Sequence, residues 1–218
     1  MLMVLTYANR GVSLGQGLRE GQLSHKETDE MILLDHNAEK LQNAVIFFAR
    51  KTKHCGITKL LKLLYFLDFI HFRQTGMSVT GQDYYAWDWG PVPSDVYLEL
   101  SKQEDRGLGL DRVARLIQRG ERFQEVVARA RFNPEFFSER ELKILSNVAE
   151  IFRDAQAELM VEATHLKNSP WDLTRSQRGS KALISYELAI DGSPDQLDVD
   201  IIKERQNEIK EMHRLFGE

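Results

Sequence analysis

From Ala38 to Lys53 the apolar positions Leu41, Ala44, Val45, Phe48 and Ala49 recur at helical spacing, which predicts an amphipathic helix ending near Gly56. The next segment is denser. Between Ile57 and Phe72, Leu60, Leu63, Leu64, Leu67 and Ile70 share one face while Leu61, Tyr65, Phe66, Phe69 and Phe72 fill the rest, and Thr58 is the expected N-cap. A helix apolar nearly all round belongs in a core. Gly76 and Gly81 then mark a turn, and Asp83 to Trp89 reads as a short aromatic strand. The pattern next predicts a helix restarting at Gly90-Pro91-Val92-Pro93 and running to about Glu104.

Between Gly107 and Phe137 the periodicity weakens: Leu110 to Gln118 reads as helical, and Val127 to Phe132 alternates like one strand of a small hairpin. Ser138 with Glu141 makes a capping box, after which Leu142, Leu145, Val148, Phe152, Ala155 and Leu159 hold a single stripe. That stripe predicts one long helix of roughly five turns or more. Ser169-Pro170-Trp171-Asp172 repeats a helix-start signature, Asp191-Gly192 is a turn, and Ser193-Pro194 with Gln196 opens a last helix reaching about Phe216. Its stripe of Ile202, Ile209, Met212 and Phe216 either packs on its own domain or clamps a partner. The fold class that emerges is mainly α: a compact helical domain with a small β-hairpin or short strands, plus a C-terminal helix.

Residues 1–37 carry Gly11, Gly15, Gly17 and Gly21 without sustained periodicity and read as a loosely ordered extension. Met31 stands just before the first periodic segment, so residues 1–30 are equally readable as upstream translation without a role. The 218 residues, 42% hydrophobic and 28% charged, suit one main globular domain. A formal net charge of -4 offers no general attraction to phosphate backbones or anionic membranes. Cys55 is the only cysteine, which excludes an internal disulfide and fits a reducing compartment. The longest apolar run, Leu63 to Ile70, is too short for a membrane span and is broken by Asp68. Met1 to Gly21 lacks the layout of a signal peptide, so a cytoplasmic protein is expected.

Chemistry-bearing motifs are sparse. Cys55 beside His54 lacks any nucleophile signature, and His25, His36, His71, His165 and His213 fall in no metal-ligating spacing. Gly15-Gln16-Gly17 and Gly107-Leu108-Gly109 lack the context of a phosphate loop. The expectation is therefore a protein that is no enzyme and takes no metal or other cofactor. Arg112, Arg115, Arg119 and Arg122 would line one face of a continuous helix and support an alternative reading as a DNA-binding regulator, although Gly120 interrupts that helix. Lys59, Lys62 and Asp68 sit among apolar residues and demand an ion pair, snorkelling or a docking edge. Tyr84, Tyr85, Trp87 and Trp89 exceed what one face of a short strand buries; alternation sends Tyr85, Trp87 and Trp89 to one side and Tyr84 to the other. They serve either packing or partner contact.

The run Lys59-Leu60-Leu61-Lys62-Leu63-Leu64-Tyr65, then Gly76, Ala86-Trp87 and Gly90-Pro91-Val92 through Val96-Tyr97, resembles the Panacea domain of SocA-like antitoxins, a family that includes phage-associated GepA-like proteins. Thr164-His165 and Pro170-Trp171 resemble its second signature. The resemblance covers roughly residues 38–190 and leaves 191–218 as a helical extension. It implies a helical domain that neutralises a toxin in a toxin-antitoxin system by binding a protein encoded in the adjacent gene, without catalysis. It leaves open delivery of the toxin to the ClpXP protease, as in SocA itself. Lys59, Lys62, Tyr65, Trp87, Trp89, Gly90, Pro91, Val92, Tyr97, His165 and Trp171 are the motif residues and the candidate toxin contacts that it implies.

Overall fold

The structure is a computed structural model that describes residues 37–216; the expected N-terminal extension lies outside the described residues. Helix α1, Ala38–Lys51, begins where the Asn37 side chain accepts the Lys40 N–H and ends where the Thr52 hydroxyl bonds Phe48 O. Glu39 in its first turn and Arg50 and Lys51 in its last complement the helix dipole. It buries Leu41, Ala44, Val45 and Phe48 against helix α2, Ile57–Thr75.

Helix α2 is buried on nearly every side, as its composition requires. Leu60, Leu63, Leu64 and Leu67 are each 0% exposed. At about 1.5–3 kcal/mol apiece they outweigh the charges that α2 also buries, provided those charges are hydrogen-bonded. The N-cap is Gly56 and makes no side-chain bond, so Thr58 does not cap this helix. Its end is set by Gly76, whose φ of 76° reaches the left-handed region and closes the last turn.

Strand β1, Tyr84–Trp87, pairs antiparallel with β2, Gly90–Pro93, with Trp87 opposite Gly90. The sequence reading placed the start of a helix at Gly90-Pro91-Val92-Pro93; that helix, α3, begins only at Ser94 and runs to Tyr97, continuing as a π turn through Lys102. Two prolines fit the strand because of their phase. Tyr84 and Ala86 bond residues 181–184 on the far edge of β1, so Tyr85 and Trp87 face the ladder and Pro91 and Pro93 fall opposite non-bonding positions. Within β1 the expected alternation holds, with Tyr84 and Ala86 fully buried and Tyr85 and Trp87 half-buried; Trp89, expected on the same side, lies in the turn beyond the strand and is exposed.

The helix expected over Leu110 to Gln118 is a single turn, α4, Leu110–Val113, followed by β3, Ala114–Arg119. Strand β3 pairs with β4, Phe123–Ala128, so the hairpin exists but lies upstream of the segment expected for it. Gly120, with φ 73°, makes the turn. Arg112, Arg115, Arg119 and Arg122 consequently share no helical face, and Arg119 pairs with Glu125 at 2.9 Å. The stripe invoked for DNA binding does not form.

Helix α5, Glu139–Ile151, starts at the expected Ser138–Glu141 capping box. It does not continue through Leu159: the chain breaks over residues 152–156 and resumes as α6, Ala157–Thr164, leaving Leu159 51% exposed. Helix α7, Pro170–Arg178, starts at Ser169 as expected. The last helix, α8, Val199–Phe216, starts later than Pro194 because residues 191–198 tie down the end of α2: Asp195 accepts from Arg73 and Gln74, and Leu197 N–H bonds Arg73 O. Ile202 packs on Gly76, and Arg205 and Gln206 bond the carbonyls of Thr75 and Gly76. Met212 and Leu215 point to solvent, and the Phe216 side chain lies outside the described residues. The expected stripe thus packs on its own domain at its start. No described helix is long and apolar enough to cross a membrane.

Candidate functional site

Of the explanations open for Lys59, Lys62 and Asp68, the ion pair is not the one used: among the described residues none of the three forms a salt bridge, and each is hydrogen-bonded instead. Lys59 Nζ donates to three backbone carbonyls, Lys53 O at 2.7 Å, Arg153 O at 3.1 Å and Ala155 O at 2.7 Å. Two of these carbonyls lie in the α5–α6 break, so the ammonium supplies donors where the helical ladder stops. Asp68 accepts from Val79 N–H, Thr80 N–H, the Thr80 hydroxyl and the Tyr84 hydroxyl. Burial pushes its carboxyl upward in pKa, against the pull of those donors.

Lys62 is different. Its Nζ is buried and has one acceptor, Pro91 O at 2.9 Å. Desolvation pushes the amine from the ordinary 10.5 down to about 7. Between those two pH values the unfolded chain holds a proton that the folded chain has lost, so stability rises with pH there by up to ~1.4 kcal/mol per unit. Lys62→Met removes this dependence. Denaturant unfolding should therefore show wild type gaining on the variant from pH 7 to 10, with Lys62→Met equal or more stable near pH 7; a gap that stays flat across this range contradicts a buried, deprotonating amine.

Lys62 also anchors a cluster drawn from six elements, α2, β1, β2, α3, α6 and α7. Gly90, at φ 101°, lies so close that a Cβ there would sit 2.7 Å from Thr164 Oγ1 and 2.9 Å from Lys62 Cε. Only glycine fits. His165 stacks on Trp171 with centroids 3.7 Å apart and planes at 6°. Burial, then the charges of Lys62 and Arg175, lower the pKa of this histidine. Trp171 Nε1 donates to Trp87 O at 2.9 Å, and the Trp87 ring meets Tyr97 at 5.2 Å. Arg175 lies 6.0 Å from the Trp171 centroid and pairs with Asp88 at 2.7 Å.

The structure therefore brings together Lys62, Trp87, Gly90, Pro91, Tyr97, His165 and Trp171, with Trp89 at the tip above them. Lys59 sits apart at the α5–α6 break. Tyr65 lies in a buried aromatic group with Phe69 and Tyr84, and Val92 is in the core. Sequence reasoning missed Asp88 and Arg175; the one available signal was that Arg175 follows Trp171 by four residues, one helical turn. Cys55 is 1% exposed and burial pushes its thiol up to about 11, so a thiolate nucleophile is not supplied there at neutral pH. Among the described residues, no group of three or more His, Cys, Asp or Glu is placed to hold a metal ion.

A family model described as antitoxin SocA-like, Panacea domain, matches residues 60–172, just over half of the chain. The chain belongs to the SocA-like antitoxin family. The match begins one residue after Lys59 and ends one residue after Trp171, so the Panacea span contains every member of the cluster except Arg175. Helices α1 and α8 of this SocA-like protein lie outside it. No curated protein and no solved structure matches the chain.

Proposed function

We propose that this SocA-like protein is the antitoxin of a two-gene toxin-antitoxin pair and silences the protein toxin encoded by the adjacent gene by binding it directly, with no reaction of its own. The family match over residues 60–172 carries the reading. It is supported by the way the signature side chains are used: Lys62, Trp171 and Gly90 lock one element to another, which builds a rigid platform for contact.

Co-expression tests it. The adjacent gene is expected to arrest growth when induced alone, and this protein to restore growth and to co-purify with the gene product. A neighbour that is harmless alone, or stays toxic beside this protein, overturns the proposal. Direct binding also predicts that rescue persists in a host lacking ClpXP, whereas proteolytic delivery predicts its loss.

A further inference from the structure

We propose that the open edge of strand β3 is the surface that meets the toxin, and that the toxin adds to it an extended segment carrying a carboxylate beside Arg115 and an apolar side chain beside Leu116. This rests on the antitoxin reading above. The register of the hairpin defines the edge. Val126 N–H bonds Cys55 O at 2.7 Å, so the Val126 backbone turns away from β3. Leu116 lies opposite Val126 and Gln118 opposite Gln124, and both therefore occupy non-bonding places in the ladder. Their N–H and C=O groups point away from β4, and none of them is hydrogen-bonded among the described residues.

Edge strands that must stay single are blunted by proline, by a bulge or by a charge pointing inward. Strand β3 has no proline, pairs one to one with β4 along its length, and turns only the uncharged Ala114, Leu116 and Gln118 inward. The edge is also fixed before any partner arrives. Cys55 and Gly56 close the far side of β4, and a Cβ on Gly56 would stand 2.9 Å from the Phe123 ring, so the hairpin seats directly on the start of α2. At the other end Arg129 N–H bonds Val113 O at 2.7 Å. Little ordering cost is left for association.

Chemistry selects the occupant. On the inner face Ala114 and Val126 are buried and Leu116 packs on the core, while alternation sends Arg115, Ile117 and Arg119 to the outer face. Of the two arginines, Arg119 pairs with Glu125 at 2.9 Å; Arg115 is exposed and forms no salt bridge among the described residues. A strand added here sets one side chain beside Arg115, where a carboxylate is favoured, and the next beside Leu116, where an apolar group extends the covered layer. A second copy of this chain fits less well. Pairing through both free residues joins Leu116 of one copy to Gln118 of the other and sets Arg115 opposite Arg119, like charge against like. Nucleic acid fits no better, because a phosphate accepts from the two N–H groups but is repelled by the carbonyls beside them. Another backbone matches both.

The test uses the full chain and the purified product of the adjacent gene. In the free chain the Leu116 and Gln118 amides should exchange with solvent faster than those of Arg115 and Ile117, which bond β4; in the complex both should become protected. Gln118→Pro removes one outward N–H without touching the β4 ladder and should weaken binding roughly 10-fold or more. Arg115→Glu should weaken it about 5-fold, with Arg115→Lys close to wild type. Both weakened variants should keep the wild-type thermal midpoint, because Arg115 and Gln118 are exposed. Leu116 and Gln118 amides that stay unprotected in the complex, or toxin affinity unchanged in both variants, overturn the edge and leave the antitoxin reading standing; wild type that binds no toxin overturns both. Should Gln118→Pro unfold, Arg115→Glu and the exchange of the two amides decide by the same criteria. A variant that dissolves a homodimer, or loses only the binding of a single-stranded oligonucleotide, with toxin affinity unchanged, overturns the edge as well.

Discussion

Replacing Asp68 by alanine is expected to cost on the order of 5 kcal/mol of folding stability, the largest single-residue effect in the molecule. The carboxylate is 0% exposed and accepts four hydrogen bonds, two from the backbone N–H groups of Val79 and Thr80 and two from the hydroxyls of Thr80 and Tyr84. Each buried donor left without an acceptor costs roughly 1–3 kcal/mol, and the four do not add fully because hydroxyls rotate. Domains of this size are stable by only about 5–15 kcal/mol, so Asp68→Ala brings the fold near its limit. Asp68→Asn should recover about half the loss, because its carbonyl keeps the two backbone donors while the hydroxyls turn to accept from its amide. Urea unfolding of both variants checks this. A loss below about 1.5 kcal/mol for alanine means that these bonds do not hold the 76–84 segment in solution. Because Tyr84 opens strand β1, Asp68→Ala should also loosen the β1–β2 hairpin.

Replacing Lys59 by methionine is expected to cost about 3–4 kcal/mol, whereas the same change at Lys62 is nearly neutral or stabilising around pH 7. Both lysines are buried to within 1% and stand one helical turn apart on α2. What separates them is the count of acceptors. Lys59 spends its three protons on three carbonyls, and methionine, which keeps the packed stem, strands Lys53 O and the buried Ala155 O, while Arg153 O keeps only the Lys53 N–H. Lys62 has one acceptor, so removing its desolvation penalty offsets the single lost bond. Burial lowers the pKa of both amines. Hydrogen exchange provides a second readout: in Lys59→Met, protection should drop at the α5–α6 junction, where Ala155 O loses its donor and Arg153 O is left with the Lys53 N–H alone. Equal stability losses at both positions would contradict the acceptor argument.

The same two lysines show how far the sequence could be read. That both are embedded in the core follows from the leucines and aromatics around them, and their family pattern is visible in a short run of residues. That neither pairs with a carboxylate is invisible locally, because the carbonyls that Lys59 binds at Arg153 and Ala155 lie 94 and 96 residues away. The break between α5 and α6 is the counterpart of that contact. The apolar stripe from Leu142 runs on through Leu159 on paper, but the carbonyls freed at Arg153 and Ala155 find a donor outside the helix, and the stripe loses its register there. The strand at Gly90–Pro93 was missed for a subtler reason: prolines forbid the interior of a sheet only in one of two phases, and the phase depends on which edge of β1 the 181–184 segment occupies.

What the sequence by itself determined is whatever rests on local periodicity and capping. The buried α2, the Ser138 and Ser169 helix starts, the alternation that separates Tyr84 from Tyr85 and Trp87 and the SocA-like pattern all arise from residues close together in the chain. What only the tertiary structure decided is which motif residues share a site. The folding back of α6 and α7 brings His165 and Trp171 onto the hairpin and Lys62, closes Arg175 on Asp88, and leaves Lys59 at another junction. The physical reason is that a buried polar group takes its partners from whatever backbone the packing delivers, and packing joins elements that the chain order keeps apart.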